Sequence, residues 1–212
     1  MIELLEESGE GRSFVIIIEK SDSDSRNSFF FANSLALVTS LSKFFKATLI
    51  ALPKIDQKNW GQIGDSLHRF LKEHGIRQTS FLASGSATTI VQYLSLIDLK
   101  LVRTICMINP YARPHPTRLT RFIDSIERFF PMGLPFKHTT SDFDGFPFLQ
   151  RIRCPVLVLS EKQASNYEKS QAEKIVQALP TAWLVSINKD EDPTPLITRF
   201  QETPAKCPQK NV

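Results

Sequence analysis

Residues 83–87 read Ala-Ser-Gly-Ser-Ala, a small-x-x-x-small turn with two hydroxyls beside its centre. Phe81-Leu82 brings an apolar strand into this turn, and a helix is predicted to begin directly after it, near Thr88. The small flanks Ala83 and Ala87 allow strand and helix to approach closely. At the centre stands Gly85, which tolerates a strained backbone without a Cβ penalty but offers no reactive atom. Ser84 and Ser86 are therefore the fallback nucleophiles. Either would need a base within hydrogen-bond reach and a third group to orient that base. Ser86 also suits a simpler task, capping the helix that follows.

Few groups elsewhere could complete such a site. The histidines are His68, His74, His115 and His138. The first two fall on the helix before the turn, near its solvent side; His138 lies close in sequence to Asp142 and Asp144. Glu19, Glu161 and Asp190-Glu191-Asp192 are expected to gather at one edge of the sheet. Such carboxylates could bind a divalent cation through oxygen ligands or act as an acid–base pair. Their spacing matches no metal motif, so no metal is expected. Loops 21–25 and 142–145 lack both G-x-x-x-x-G-K-[ST] and G-x-G-x-x-G, which disfavours ATP and NAD and leaves no cofactor expected. Cys106, Cys154 and Cys207 share no ligand spacing; Cys106 and Cys154 are read as buried, inert thiols in strands.

The elements that would position these groups alternate. Phe14–Ile18, Thr48–Leu52, Thr79–Ala83, Val102–Ile108, Val156–Leu159 and Leu184–Ile187 read as short buried strands. Between them, Leu37, Val38, Leu41, Phe44 and Phe45 share one helical face, as do Trp60, Ile63, Leu67 and Phe70, with Gly75 as a helix stop. Ile90, Leu94 and Ile97 mark a third helix, Ala172, Ile175, Val176 and Leu179 a fourth, and a last one is predicted over 195–200. Strand–helix alternation of this kind implies a mostly parallel sheet with helices on both faces. A single domain is expected over residues 1–202, with an insertion at about 110–153 and a flexible tail at 203–212. Seven of the sixteen phenylalanines fall in the insertion. It reads as a short Phe-rich helical cap, either packed on the sheet or lining an apolar pocket.

The 212 residues suffice for a substantial core, and 42% hydrophobic with 23% charged residues is an ordinary globular balance. A net charge of +4 is too small to argue for nucleic acid. The local cluster Arg113, His115, Arg118, Arg121 and Arg128 reads as a solvated helix face rather than an acidic-ligand patch. No apolar run approaches the roughly 20 residues of a membrane span. The acidic start, Met1-Ile2-Glu3-Leu4-Leu5-Glu6-Glu7, is unlike a secretory signal, so a cytoplasmic location is expected.

Taken in order, these parts resemble the α/β-hydrolase superfamily over about residues 2–200. Residues 6–11 resemble the turn before that family's first central strand, and Ala51-Leu52-Pro53 the segment before its next glycine-rich loop. Cys154 to Leu159 resembles the strand leading to the catalytic acid, and Leu179 to Val185 the approach to the catalytic histidine. The turn at 83–87 then corresponds to the G-x-S-x-G elbow, with Gly85 in place of the serine. The resemblance also exposes three further departures. Glu19-Lys20 stands where His-Gly of the oxyanion loop belongs, and a carboxylate there opposes a developing oxyanion. Ser160-Glu161-Lys162-Gln163 lacks the expected aspartate, and Asn188 to Asp192 lacks the histidine. The resemblance thus implies a compact single-domain member, with a short cap, that has lost its catalytic residues. Its expected role is to bind a small apolar molecule or a protein partner through the cap, in a pocket lined by Ser84, Gly85, Ser86, Phe122, Ile126 and Phe130. The alternative is a divergent active serine ester or acyl hydrolase using Ser84 or Ser86.

Overall fold

A computed structural model of the chain describes residues 2–20, 28–56, 58–112, 145–164, 166–188 and 191–203. In chain order the elements are β1 (Glu3–Ser8), β2 (Ser13–Glu19), α1 (Ser28–Leu41), β3 (Lys46–Leu52), α2 (Trp60–Glu73), β4 (Thr79–Ser84) and α3 (Ala87–Ile97). There follow β5 (Val102–Ile108), α4 (Phe146–Leu149), β6 (Val156–Glu161), α5 (Asn166–Ala178), β7 (Ala182–Ile187) and α6 (Thr194–Glu202). The strands form one seven-stranded sheet in the order β1-β3-β2-β4-β5-β6-β7. Every neighbouring pair is parallel except β1 with β3.

Side chains alternate across a strand, so a sheet covered on both faces needs apolar residues at successive positions. In β2, Val15 and Ile17 enter one core, with Ile63 and Leu67 of α2, Ile90 and Leu94 of α3, and Ile175 of α5. Phe14, Ile16 and Ile18 enter the other, with Leu37, Val38 and Leu41 of α1 and Ile197 and Phe200 of α6. The six strands read from the sequence are β2 to β7, and the mostly parallel sheet between helical layers is the observed architecture. Gly75, at φ +71, ends α2 as expected.

Three expectations need correction. β1 escaped the sequence reading because Glu3-Leu4-Leu5-Glu6-Glu7-Ser8 is a half-exposed edge strand with no apolar run. Phe44 is more than half exposed, beyond the last turn of α1, while Phe45 turns into the core. Cys154 lies outside any strand: Pro155 has no N–H to give, and the β6 ladder begins at Val156.

Of the 110–153 stretch, Phe122, Ile126, Phe130, the Arg113–Arg128 cluster, His115 and His138 fall outside the described residues. The two flanks meet: Gly145 N donates to the Ala112 carbonyl at 2.8 Å. Beyond this neck, Leu149 and Ile152 are buried in the α2–α3 core. Among the described residues no helix is long and apolar enough to cross a membrane.

Candidate functional site

The pairing of β2, β4, β5 and β6 sets Ile17, Ala83, Met107 and Val158 side by side across the sheet. Two residues further along each strand, at its C-terminal end, stand Glu19, Gly85, Asn109 and Ser160. This is the edge where open parallel sheets bind ligands. Gly85 has φ +55 and Asn109 φ +45, both in the left-handed region. Their ladder bonds continue regardless: Gly85 N donates to Ile108 O (3.1 Å) and Asn109 N to Leu159 O (2.9 Å). A non-glycine residue in this region carries strain that the surroundings must over-determine. The Asn109 side chain supplies part of that, accepting from Glu161 N at 3.0 Å.

The turn after β4 is held by the first turn of α3. Thr88 Oγ1 donates to the Gly85 carbonyl (2.6 Å) and Thr89 Oγ1 to the Ser86 carbonyl (2.8 Å). Thr88 Oγ1 also accepts from Tyr111 N (3.0 Å), and Gln92 Nε2 donates to the Tyr111 carbonyl (2.8 Å). The elbow helix therefore grips the neck of the insertion. Tyr111 in turn donates its hydroxyl to Glu168 at 3.1 Å.

Ser84 is half-buried, and Gly85 and Ser86 are buried. The capping role expected of Ser86 is not observed. Its backbone is already helical (φ −63, ψ −30) rather than extended, and its side chain makes no cap bond. The Ser86 hydroxyl instead lies beside the carboxyl of Glu19, near enough to favour its ionised form. Glu19 also accepts from Ile55 N at 2.9 Å. Burial pushes the Glu19 carboxyl above the ordinary carboxylate range, opposed by the Ile55 amide, the Ser86 hydroxyl and the nearby Lys54. Lys20 is turned away, paired with Glu3. This Glu19–Ser86 contact joins residues 67 apart in sequence and is the feature the sequence reading missed.

The other candidates do not converge here. Glu19 and Glu161 are three strands apart, about 14 Å at the usual spacing, so the carboxylates do not gather. Glu191 accepts from Asn188 N and Nδ2 (3.0 and 3.2 Å) and Asp192 from Thr194 N (2.9 Å). Asp190 is outside the described residues. Among the described residues no three His, Cys, Asp or Glu groups are placed to hold a metal. His68 bonds Asp98 at 3.0 Å, at the far end of α3, a helix length of roughly 16 Å from the elbow. The His68 contact holds the Asp98 carboxyl below its usual range. His74 Nδ1 donates to Phe70 O. Burial pushes the Cys154 thiol up to about 12, which leaves it unreactive at neutral pH.

No protein-family model matches the chain, and no curated protein does. Solved structures do. An alpha/beta hydrolase enzyme from the metagenome of sediments of the Mar Chica lagoon, Morocco, superposes with a TM-score of 0.65 at 15% identity, covering 95% of each chain. The enol-lactonase from Burkholderia xenovorans gives 0.62 at 15% identity over 95% of this chain and 92% of that one. A bacterial membrane phospholipase A gives 0.68 at 14% identity over 95% and 82%. At such identities the likeness is one of fold.

Proposed function

We propose that this chain, which has the α/β-hydrolase fold, is a binding protein that has lost hydrolase chemistry. Its ligand would be a small apolar molecule held between the elbow and the Phe-rich insertion. One observation carries the reading: the elbow has a left-handed central backbone, yet that centre is Gly85, and the neighbouring hydroxyl of Ser86 lies beside the carboxyl of Glu19. A serine attacks when a base takes its proton and donors stabilise the oxyanion. At this edge the group beside the serine is a carboxyl, which is a weak base and opposes negative charge on a substrate. Neither described histidine is within reach.

The test is labelling of the purified protein with a fluorescent serine-directed phosphonate, alongside turnover of a short activated ester. The reading expects neither adduct nor turnover from folded protein. A stoichiometric adduct on Ser84 or Ser86, with turnover abolished by Ser86→Ala or by the matching Ser84→Ala, would establish an active hydrolase instead.

A further inference from the structure

The two edges of the sheet are built differently. β1 carries Glu3, Glu6 and Glu7, and its register breaks between Leu4 and Glu6. Lys20 and Lys46 pair with Glu3 and Glu7 along it. Charges and a bulge are the devices that keep an edge strand from pairing with another chain. β7, Ala182-Trp183-Leu184-Val185-Ser186-Ile187, has neither charge nor proline, and its register with β6 is unbroken through six pairs. Val156 N and Lys162 N donate to the carbonyls of Thr181 and Ile187. The alternation of a parallel ladder then turns the amides and carbonyls of Ala182, Leu184 and Ser186 outward. Among the described residues no strand pairs with them.

Beside this edge, on the α5 side, runs a groove of about 360 Å³ whose lining includes Glu161, Lys162, Lys169, Glu173, Leu184 and Ser186. Its two lysines and two glutamates cancel, and two of them, Lys169 and Glu173, sit one turn apart on α5.

We propose that β7 is the edge through which two copies of this chain associate, joining their sheets antiparallel. A two-fold axis normal to the sheet reverses the strand and keeps both α5 helices on the same face, side by side and antiparallel. Lys169 then lies by the partner's Glu173, and Glu173 by the partner's Lys169. A patch that meets itself must be complementary to itself, and a lysine four residues before a glutamate is so under this symmetry. Exposed ion pairs contribute little affinity; they set orientation, while the strand ladder and the apolar surface at Leu184 supply the attraction.

Sedimentation velocity on the full chain tests this, the expected species having twice the 24.1 kDa chain mass. Ser186→Pro removes an outward amide without touching the β6 ladder, so it should give a folded monomer with unchanged circular dichroism. Ser186→Lys, which leaves the backbone intact, should do the same. Lys169→Glu should weaken the dimer about tenfold, and Lys169→Glu with Glu173→Lys should restore it. A wild-type monomer up to about 100 µM overturns the proposal. So does a dimer indifferent to both Ser186 variants. If β7 amides in a monomer were protected from hydrogen exchange, another segment of the chain would be shown to cover the edge, and the proposal would again fail.

Discussion

Gly85→Ser places a hydroxyl at the centre of the elbow and separates scaffold from chemistry in one variant. The position has φ +55. An L-residue in the left-handed region costs roughly 1–2 kcal/mol relative to glycine, because its Cβ crowds the following carbonyl. For a domain of this size 1 kcal/mol moves the melting temperature by about 2–4 °C, so a fall of roughly 2–8 °C is expected. Chemistry should not return. A serine without its base has lost about 10⁶ in kcat in a comparable hydrolase, and here Glu19 also faces the elbow. The assay is a thermal melt with parallel ester turnover and phosphonate labelling. A variant as stable as the parent would refute the left-handed assignment at Gly85. An acyl-enzyme burst equal to the protein concentration would refute the argument that the elbow has no base and that Glu19 opposes an oxyanion there.

Glu19→Gln tests the carboxyl at the elbow through pH. Burial raises the folded-state pKa above the ordinary carboxyl value of 4.5, so between 4.5 and that raised value the native state binds more protons than the unfolded one. Wild-type stability therefore falls as pH rises through this window, whereas glutamine, which keeps an acceptor for Ile55 N, does not titrate. Relative to wild type the variant should gain stability between pH 4 and pH 7.5 in paired urea melts, and a difference that stays flat or reverses would refute the shift. Gln201→Leu tests how α6 is docked. Gln201 Oε1 accepts from Ser80 Oγ (2.7 Å) and Thr104 Oγ1 (2.9 Å), all buried, and those two hydroxyls also bond each other at 2.8 Å. Removing the acceptor strands one donor at a cost of about 1–3 kcal/mol, which chemical denaturation would detect.

What was legible in the sequence was whatever apolar periodicity encodes. Phe14 to Ile18 could be read as a two-sided buried strand because five successive apolar residues have no other use in a short run. β1 could not, since Glu3-Leu4-Leu5-Glu6-Glu7 neither alternates nor forms an apolar run, and both its leucines are exposed. The small flanks of the turn and the glycine at its centre were visible at Ala83, Gly85 and Ala87. The carboxyl beside Ser86 was not, because it arrives there where β2 and β4 end side by side and no local pattern relates residue 19 to residue 86. The capping expectation for Ser86 failed for a related reason: capping needs an extended backbone, and the first turn of α3 is already helical there.

A left-handed turn centred on a glycine still has work within the fold. The Thr88 hydroxyl donates to the carbonyl of Gly85 and accepts from the amide of Tyr111, so one side chain joins the elbow to the neck of the insertion. Gln92, one turn further along α3, holds the Tyr111 carbonyl, and the adjacent Ala112 carbonyl closes the neck by receiving Gly145 N. Relaxing the left-handed backbone at Gly85 would rotate its carbonyl away from Thr88 and loosen this joint. The elbow geometry thus positions the ends of the Phe-rich insertion whether or not a serine stands at its centre. This gives glycine a reason to persist there that catalysis does not supply: it meets the backbone requirement without strain while leaving the space above the elbow empty of a side chain. Gly85→Ala separates that backbone role from the hydroxyl. It should carry the same conformational cost as Gly85→Ser, and any difference between the two measures only what the oxygen adds.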